Sequence, residues 1–400
     1  MSHAGPGPGL EAALPAIRDW IILEGLEGTS LAALLEGFAR RVVAAGLHLS
    51  RAYLASPAVH PEIRAVNLTW RPATGVIREG VGHERFPNAF DTSPIAFMLA
   101  NNIVRHRWRL DSAAGRQGYA LLDELHAEGD VDYAAHIVKF GGSATTAMQG
   151  VALTVSTDRA EGFAREELAF LNALVPPLAL AVYRVALFDM MTAILDAYIG
   201  HNAGRRILGG EIRRGHGHRL PAAILIADLR GFTAASEGGG EELIARLGEH
   251  LGAVAEPIEA AGGEVLKFLG DGLLAGFPID GELGPGAACA AAISAAIEAI
   301  SRNDGVNARH AAGPALPLDI ALHLGEVFYG NVGGGGRLDF TVIGPAVNEA
   351  SRIEALCGIL DRSLLMSADF ARSCGRPTVS LGHHRLRGVS EPREIFALAG

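Results

Sequence analysis

From residue 222 onward the spacing of apolar positions changes period several times, and each change marks an element. Ala222–Ala227 is an unbroken apolar run of strand length, the pattern of a buried strand. Leu243, Ile244, Leu247, Leu251, Val254 and Ile258 then recur every three or four residues. That spacing predicts a helix over Glu241–Ala261, stopped by Gly262 and Gly263. Glu264–Leu269 and Leu273–Phe277 read as two short strands around Gly270-Asp271-Gly272, a tight hairpin turn. An alanine-rich helix over Gly286–Ile300, strands at Leu318–Leu324 and Leu338–Ile343, and a helix over Ala346–Cys357 follow. The order βαββαβ is the ferredoxin-like plan with elements appended, so the expected class is α+β. With helices on one face of such a sheet, the end of the first strand and the hairpin turn meet. Asp228 and Asp271 are therefore expected side by side.

The first 170 residues mix the two periods. Leu31–Ala45 is an amphipathic helix, and Ala52–Leu54, Ala65–Trp70, Ala134–Lys139 and Gly150–Val155 read as strands. Glu166–Val175 opens a further helix. A helix-flanked sheet that ends in a long exit helix resembles a GAF-type or PAS-type sensor domain. The expected division is a regulatory domain over 1–170, a signalling helix and linker over 171–219, and a catalytic domain over 220–400. Leu180, Tyr183, Leu187, Met190, Ile194 and Ala197 alternate three- and four-residue steps. That stripe fits a short coiled-coil seam, or equally a helix packed on its own domain. Gly204, Gly209, Gly210, Gly215 and Gly217 read as a flexible junction, and its His216 and His218 lack a third metal ligand.

Composition narrows the function classes. Four hundred residues exceed one ordinary core, so two domains are expected. A formal charge of −10 argues against a nucleic-acid binder, which would normally carry a basic face. The local cluster Arg105–Arg109 reads as a solvated helix face. Three cysteines, Cys289, Cys357 and Cys374, show neither disulfide nor metal spacing, which fits a reducing compartment. No basic segment followed by an apolar run opens the chain, so no signal peptide is expected. The most apolar stretch, Leu174–Ile199, carries Arg184, Asp189 and Asp196 and is interrupted by Pro176-Pro177. No membrane span is therefore expected, and the chain reads as soluble and cytoplasmic.

The chemistry lies in the second half. Asp228 ends an apolar strand, where a carboxylate needs a helix cap or a cation. Alone the cap would suffice, and Asp271-Gly272 alone would be ordinary turn chemistry. Together at one end of a sheet they form a two-carboxylate cradle for Mg²⁺ or Mn²⁺, ions held by carboxylates and substrate phosphates. Leu229-Arg-Gly231-Phe232-Thr233 leads from the strand towards a helix, and its backbone N–H groups suit a triphosphate. Asn348 and Arg352 are four apart and share a helix face.

Residues 220–400 resemble the catalytic domain of class III nucleotidyl cyclases. The fragments are Ala227–Thr233, Lys267–Gly272, His323–Gly333, Asp339–Gly344, Val347–Arg352 and Leu386–Pro392, in that order. The resemblance implies that Asp228, Asp271 and the Leu229 carbonyl hold two divalent cations. It implies that Gly231, Phe232 and Thr233 cradle phosphates, that Asn348 orients the ribose, and that Arg352 stabilises charge on the α-phosphate. Arg387 matches a cation on the terminal phosphates, where the family more often has Lys. Lys267 and Thr341 match the two purine-reading positions, in a Lys/Thr subclass of adenylate cyclases. Some members of that subclass respond to bicarbonate. A lysine suits adenine independently of the family, since it donates to the N1 acceptor where guanine presents a donor. Asp339 lies two residues before the matching position.

The family builds its site across a dimer, so a homodimer with ATP as substrate and 3′,5′-cyclic AMP as product is implied. The rivals are a guanylate cyclase, disfavoured by Lys267, and a diguanylate cyclase, whose hairpin signature is absent. A silent nucleotide-binding regulator is the third.

Overall fold

The computed structural model describes residues 9–58, 60, 63–83, 90–141, 150–236, 240–279 and 284–399. The chain divides into two compact units, Met1–Ala197 and Tyr198–Gly400. The first begins with helices α1 (Leu10–Glu27) and α2 (Leu31–Ala44), then strands β1 (Arg51–Pro57), β2 (Ile63–Arg71) and β3 (Gly75–Gly82). Helix α3 (Pro94–Ala100), strand β4 (Arg105–Arg109) and helices α4 (Ala113–Arg116) and α5 (Ala120–Ala127) follow. Strands β5 (Asp132–Lys139) and β6 (Gly150–Thr157) lead into the long helix α6 (Arg165–Ile199).

The six strands form one antiparallel sheet in the order β3-β2-β1-β6-β5-β4. One core packs Leu34, Phe38, Leu174, Leu178 and Val182 on Leu54, Leu68 and Trp70. A second core, with Met98, Trp108, Leu122 and Tyr133, includes residues of the opposite sheet face.

Three expectations change here. Arg105–Arg109 is a strand and not a solvated helix face: Trp108 is 1% exposed in the second core, and Arg107 pairs with the buried Asp132 at 2.6 Å. Pro176-Pro177 does not interrupt α6, which continues for 35 residues. Each interior proline forfeits a helix hydrogen bond at about 3 kcal/mol, and burial of Leu174, Val175, Leu178 and Ala179 around them offsets that cost. By length and composition α6 is long and apolar enough to cross a membrane, while its inner stripe lines the core of its own unit. The two readings of the 180–197 stripe also separate. Leu178, Val182 and Val185 pack inward, whereas Leu180 and Leu187 remain exposed on another face of the same helix.

The second unit opens with α7 (His201–Leu208) and β7 (Gly217–Leu229), then α8 (Phe232–Ser236) and α9 (Gly240–Ala260). Strands β8 (Glu264–Phe268) and β9 (Gly272–Pro278) precede α10 (Pro285–Arg309), β10 (Leu318–Gly334) and β11 (Arg337–Ile343). Helices α11 (Pro345–Glu354) and α12 (Cys357–Leu360), strand β12 (Leu364–Ser367), helix α13 (Ala368–Ser373) and strands β13 (Thr378–His384) and β14 (Arg393–Leu398) complete it. The βαββαβ order is present, and its strands stand β10-β7-β9-β8, with β12, β14 and β13 added beyond β10.

Alternation along β7 separates two faces. Ala223, Leu225, Ala227 and Leu229 share one core with residues of α9 and α10, while Ala222, Ile224 and Ile226 share another with residues of α7 and α11. Helices therefore cover part of both faces rather than one. The expected glycine junction is largely structured: Gly204 lies buried inside α7, and Gly217-His218 begin β7. Pairing with β10 as far as Gly330 gives this polar stretch backbone partners that periodicity does not signal.

His250 illustrates how the helix pair is fixed. It is 0% exposed, its Nδ1 lies 2.6 Å from Asn303 Oδ1, and Arg246 Nε donates to its Nε2 at 3.3 Å. Burial, more than any other cause, holds this imidazole below its ordinary value. The unfolded chain therefore binds the proton first, and His250 costs stability as pH falls through and below about 6.5. His250→Gln is expected to lose less melting temperature than wild type between pH 7.5 and 5.5. Parallel melting curves for the two proteins would refute this.

Candidate active site

Asp228 is the penultimate residue of β7 and stands opposite Gly272 on β9 and Asp319 on β10. Asp271 immediately precedes Gly272, in a turn closed by Leu269 N–H donating to the Gly272 carbonyl at 2.8 Å. Gly270 supplies the left-handed backbone of this turn, with φ 78°. Strand pairing thus brings the two aspartates to one end of the sheet although 42 residues separate them.

Gly272 is the residue that sequence reasoning passed over as a turn former. A Cβ there would lie 2.3 Å from the Ala227 carbonyl oxygen and 2.7 Å from Asp228 Oδ1. Its lack of a side chain lets β9 approach β7 beside the carboxylate. Gly272→Ala is expected to displace Asp228 and lower turnover by about 10²-fold. An active Gly272→Ala protein would show that the approach is not needed.

The electrostatics favour cations. Burial first, then Asp271 and Asp319, pushes the Asp228 carboxyl up to about 6. Glu354, near the end of α11, is pushed up to about 7 by burial and then by Asp228, Asp319 and Asp271. Asp319 has its own counter-charge: Arg230 donates through Nε at 2.9 Å and Nη2 at 2.7 Å, and lies 3.6 Å from Asp361. Among the described residues Asp228, Asp271 and Glu354 make no ion pair. Crowded, partly desolvated oxygen donors of this kind fit a hard divalent cation. No group of three or more His, Cys, Asp or Glu side chains that could hold a metal occurs among the described residues. The aspartate pair would need the Leu229 carbonyl and substrate oxygens to complete coordination.

The other expected residues fall in three places. Gly231, with φ 83°, turns the chain three residues after the first aspartate, and Phe232 and Thr233 open α8. Lys267 on β8 ion-pairs with Asp339 on β11, and Thr341 lies two positions further on that strand, 7% exposed. Asp339 was visible in the sequence, but only the fold makes it the partner of Lys267. Asn348 and Arg352 are exposed on α11, one turn apart. Glu349, three residues before Arg352, pairs with Arg393 at 3.2 Å. Arg387 is exposed in the turn before β14. No hydrogen bond or ion pair joins the aspartates to Lys267, Asn348 or Arg352 among the described residues. His218 packs its ring edge on Tyr329 at 6.0 Å.

Comparison with known proteins agrees with this geometry. Residues 218–369 match the family model of the adenylate and guanylate cyclase catalytic domain. Adenylate cyclase of Anabaena cylindrica is 32% identical over 155 residues, 38% of this chain and 31% of that protein. Adenylate cyclase 1 of Rhizobium meliloti is 24% identical over 98% of this chain and 61% of its own length. The chain thus spans between about a third and three-fifths of these relatives. The crystal structure of the guanylyl cyclase Cya2 is similar at 30% identity, covering 46% of this chain and 94% of that one, with a TM-score of 0.41.

Proposed function

We propose that the chain is an adenylate cyclase that converts ATP to 3′,5′-cyclic AMP and pyrophosphate. The observation that carries the reading is the pair Asp228 and Asp271, held side by side and without an ion pair among the described residues. Two divalent cations held there, with the Leu229 carbonyl, would make the ribose 3′-hydroxyl acidic and neutralise phosphate charge. The chain's own residues do the rest. The Gly231–Thr233 turn offers backbone N–H groups to the phosphates, and Asn348 orients the ribose. Arg352 stabilises charge developing on the α-phosphate, and Arg387 meets the terminal phosphates.

Lys267 selects the base. Its ammonium donates to adenine N1, whereas the guanine N1–H would oppose it, and Asp339 holds the ammonium on the strand that also carries Thr341. No hydrogen bond or ion pair joins the aspartates to Asn348 or Arg352 among the described residues, which supports a site whose two halves come from two copies. The protein is therefore read as a homodimer. The amino-terminal unit, read as a GAF-like sensor, regulates it.

The deciding experiment is cyclic nucleotide formation by the purified full chain from ATP or GTP, in Mg²⁺ and then Mn²⁺. Cyclic AMP from ATP with little product from GTP is expected. Preferential cyclic GMP formation would overturn the Lys267 assignment, and nucleotide binding without pyrophosphate release in all four conditions would overturn the enzymatic one.

A further inference from the structure

The amino-terminal unit buries a charge that its fold leaves short of partners. Arg51 on β1 is 7% exposed. Its guanidinium carries five N–H donors. Among the described residues it makes one hydrogen bond, from Nη1 to Thr154 Oγ1 at 3.4 Å, and no ion pair. The Tyr53 ring lies 4.8 Å away, an attractive contact that supplies no acceptor. Nearby Arg71 adds a second positive charge, itself paired with Glu128 at 2.5 Å.

Strand register gathers further polar groups around this guanidinium. Arg51 stands opposite Ser156, Ser156 opposite Tyr133, and Tyr53 opposite Thr154, so these five side chains share one face of the sheet. The Tyr133 and Ser156 hydroxyls are both 0% exposed. Tyr133 lies near Thr154 and Ser156 near Asp130, yet neither hydroxyl makes a well-aligned hydrogen bond. Asp130, 2% exposed, accepts from Ser50 through Oδ1 while its Oδ2 is unpartnered. Buried polar groups are nearly always satisfied, and several unsatisfied ones in one place call for a common explanation.

We propose that Arg51 anchors a binding site for a small oxyanion in the amino-terminal unit. The guanidinium fork meets two ligand oxygens, and the Thr154, Tyr133 and Ser156 hydroxyls complete the polar wall. Apolar Trp108 packs against Tyr133 at this face, with ring centroids 5.7 Å apart. This site is independent of the cyclase reading, and its test does not measure turnover.

The full chain would be melted in chloride buffer, then with acetate or inorganic phosphate at matched ionic strength. One of the two is expected to raise the melting midpoint saturably, by about 3–6 °C at ten times its dissociation constant. A response to acetate identifies a carboxylate ligand, and a response to phosphate a tetrahedral oxyanion. Arg51→Met is expected to abolish the response and to melt above wild type in chloride, because it removes an unpaired buried charge. Arg51→Lys keeps the charge without the fork and is expected to bind about tenfold more weakly. The proposal is overturned by no response beyond chloride in the wild type, or by an equal response in Arg51→Met. A methionine variant melting well below wild type would also overturn it, since Arg51 would then be a structural residue.

Discussion

Asp271→Ala is expected to lower cyclic nucleotide formation by at least about 10³-fold while leaving the fold intact. Loss of one preorganised charge-stabilising group costs about 10²–10³ in turnover, and Asp271 is one of the two carboxylates proposed to hold the cations. The fold should tolerate the change because the turn is held by other means. Leu269 N–H still donates to the Gly272 carbonyl, Gly270 keeps its left-handed backbone, and Asp271 makes no ion pair. Its removal also relieves repulsion of Asp228, whose carboxyl is pushed up partly by Asp271. Turnover with Mn²⁺ and a melting curve on the same preparation test both halves. Substantial cyclase activity in a folded Asp271→Ala protein would remove the metal assignment.

Mixing two inactive proteins is expected to restore activity. Asp228→Ala lacks the carboxylate half of the site, and Arg352→Ala lacks the cation on α11. If each site draws these halves from different subunits, a heterodimer carries one intact site and one doubly defective site. Random exchange at equal concentrations makes half of the dimers mixed, so recovery should approach about a quarter of wild-type turnover. The geometry behind this is the exposure of Asn348 and Arg352 on α11, with no hydrogen bond or ion pair to a carboxylate among the described residues. Heterodimers demonstrated by mass but silent in turnover would mean that each site is built within one chain.

Most of the catalytic unit was legible in advance because its signals are local. The apolar run ending at Asp228, the Leu243–Ile258 periodicity and the Gly270-Asp271-Gly272 turn each correspond to an observed element within a few residues. The errors share one physical origin. The polar start of β7 at Gly217–Pro221 has no hydrophobic pattern, since its strand state comes from pairing with the far half of β10. Arg105–Arg109 looks like a solvated helix until Asp132, 25 residues away, takes the charge of Arg107. Pro176-Pro177 should break a helix in isolation, but the burial around them belongs to the tertiary core.

The candidate site divides along the same line. The sequence by itself determined the residue types and their order: the two aspartates, Lys267, Thr341, Asn348 and Arg352, and hence the class of chemistry. Spacing and side-chain chemistry are properties of the covalent chain. Only the tertiary structure decided what stands beside each of them. It set Gly272 against Asp228, paired Lys267 with Asp339, gave Asp319 to Arg230, and brought Glu354 into the field of the aspartates. It also left Arg51 buried with a single hydrogen bond. Burial, counter-charge and steric approach are set by partners distant in sequence, and these partners meet only when the strands are in register.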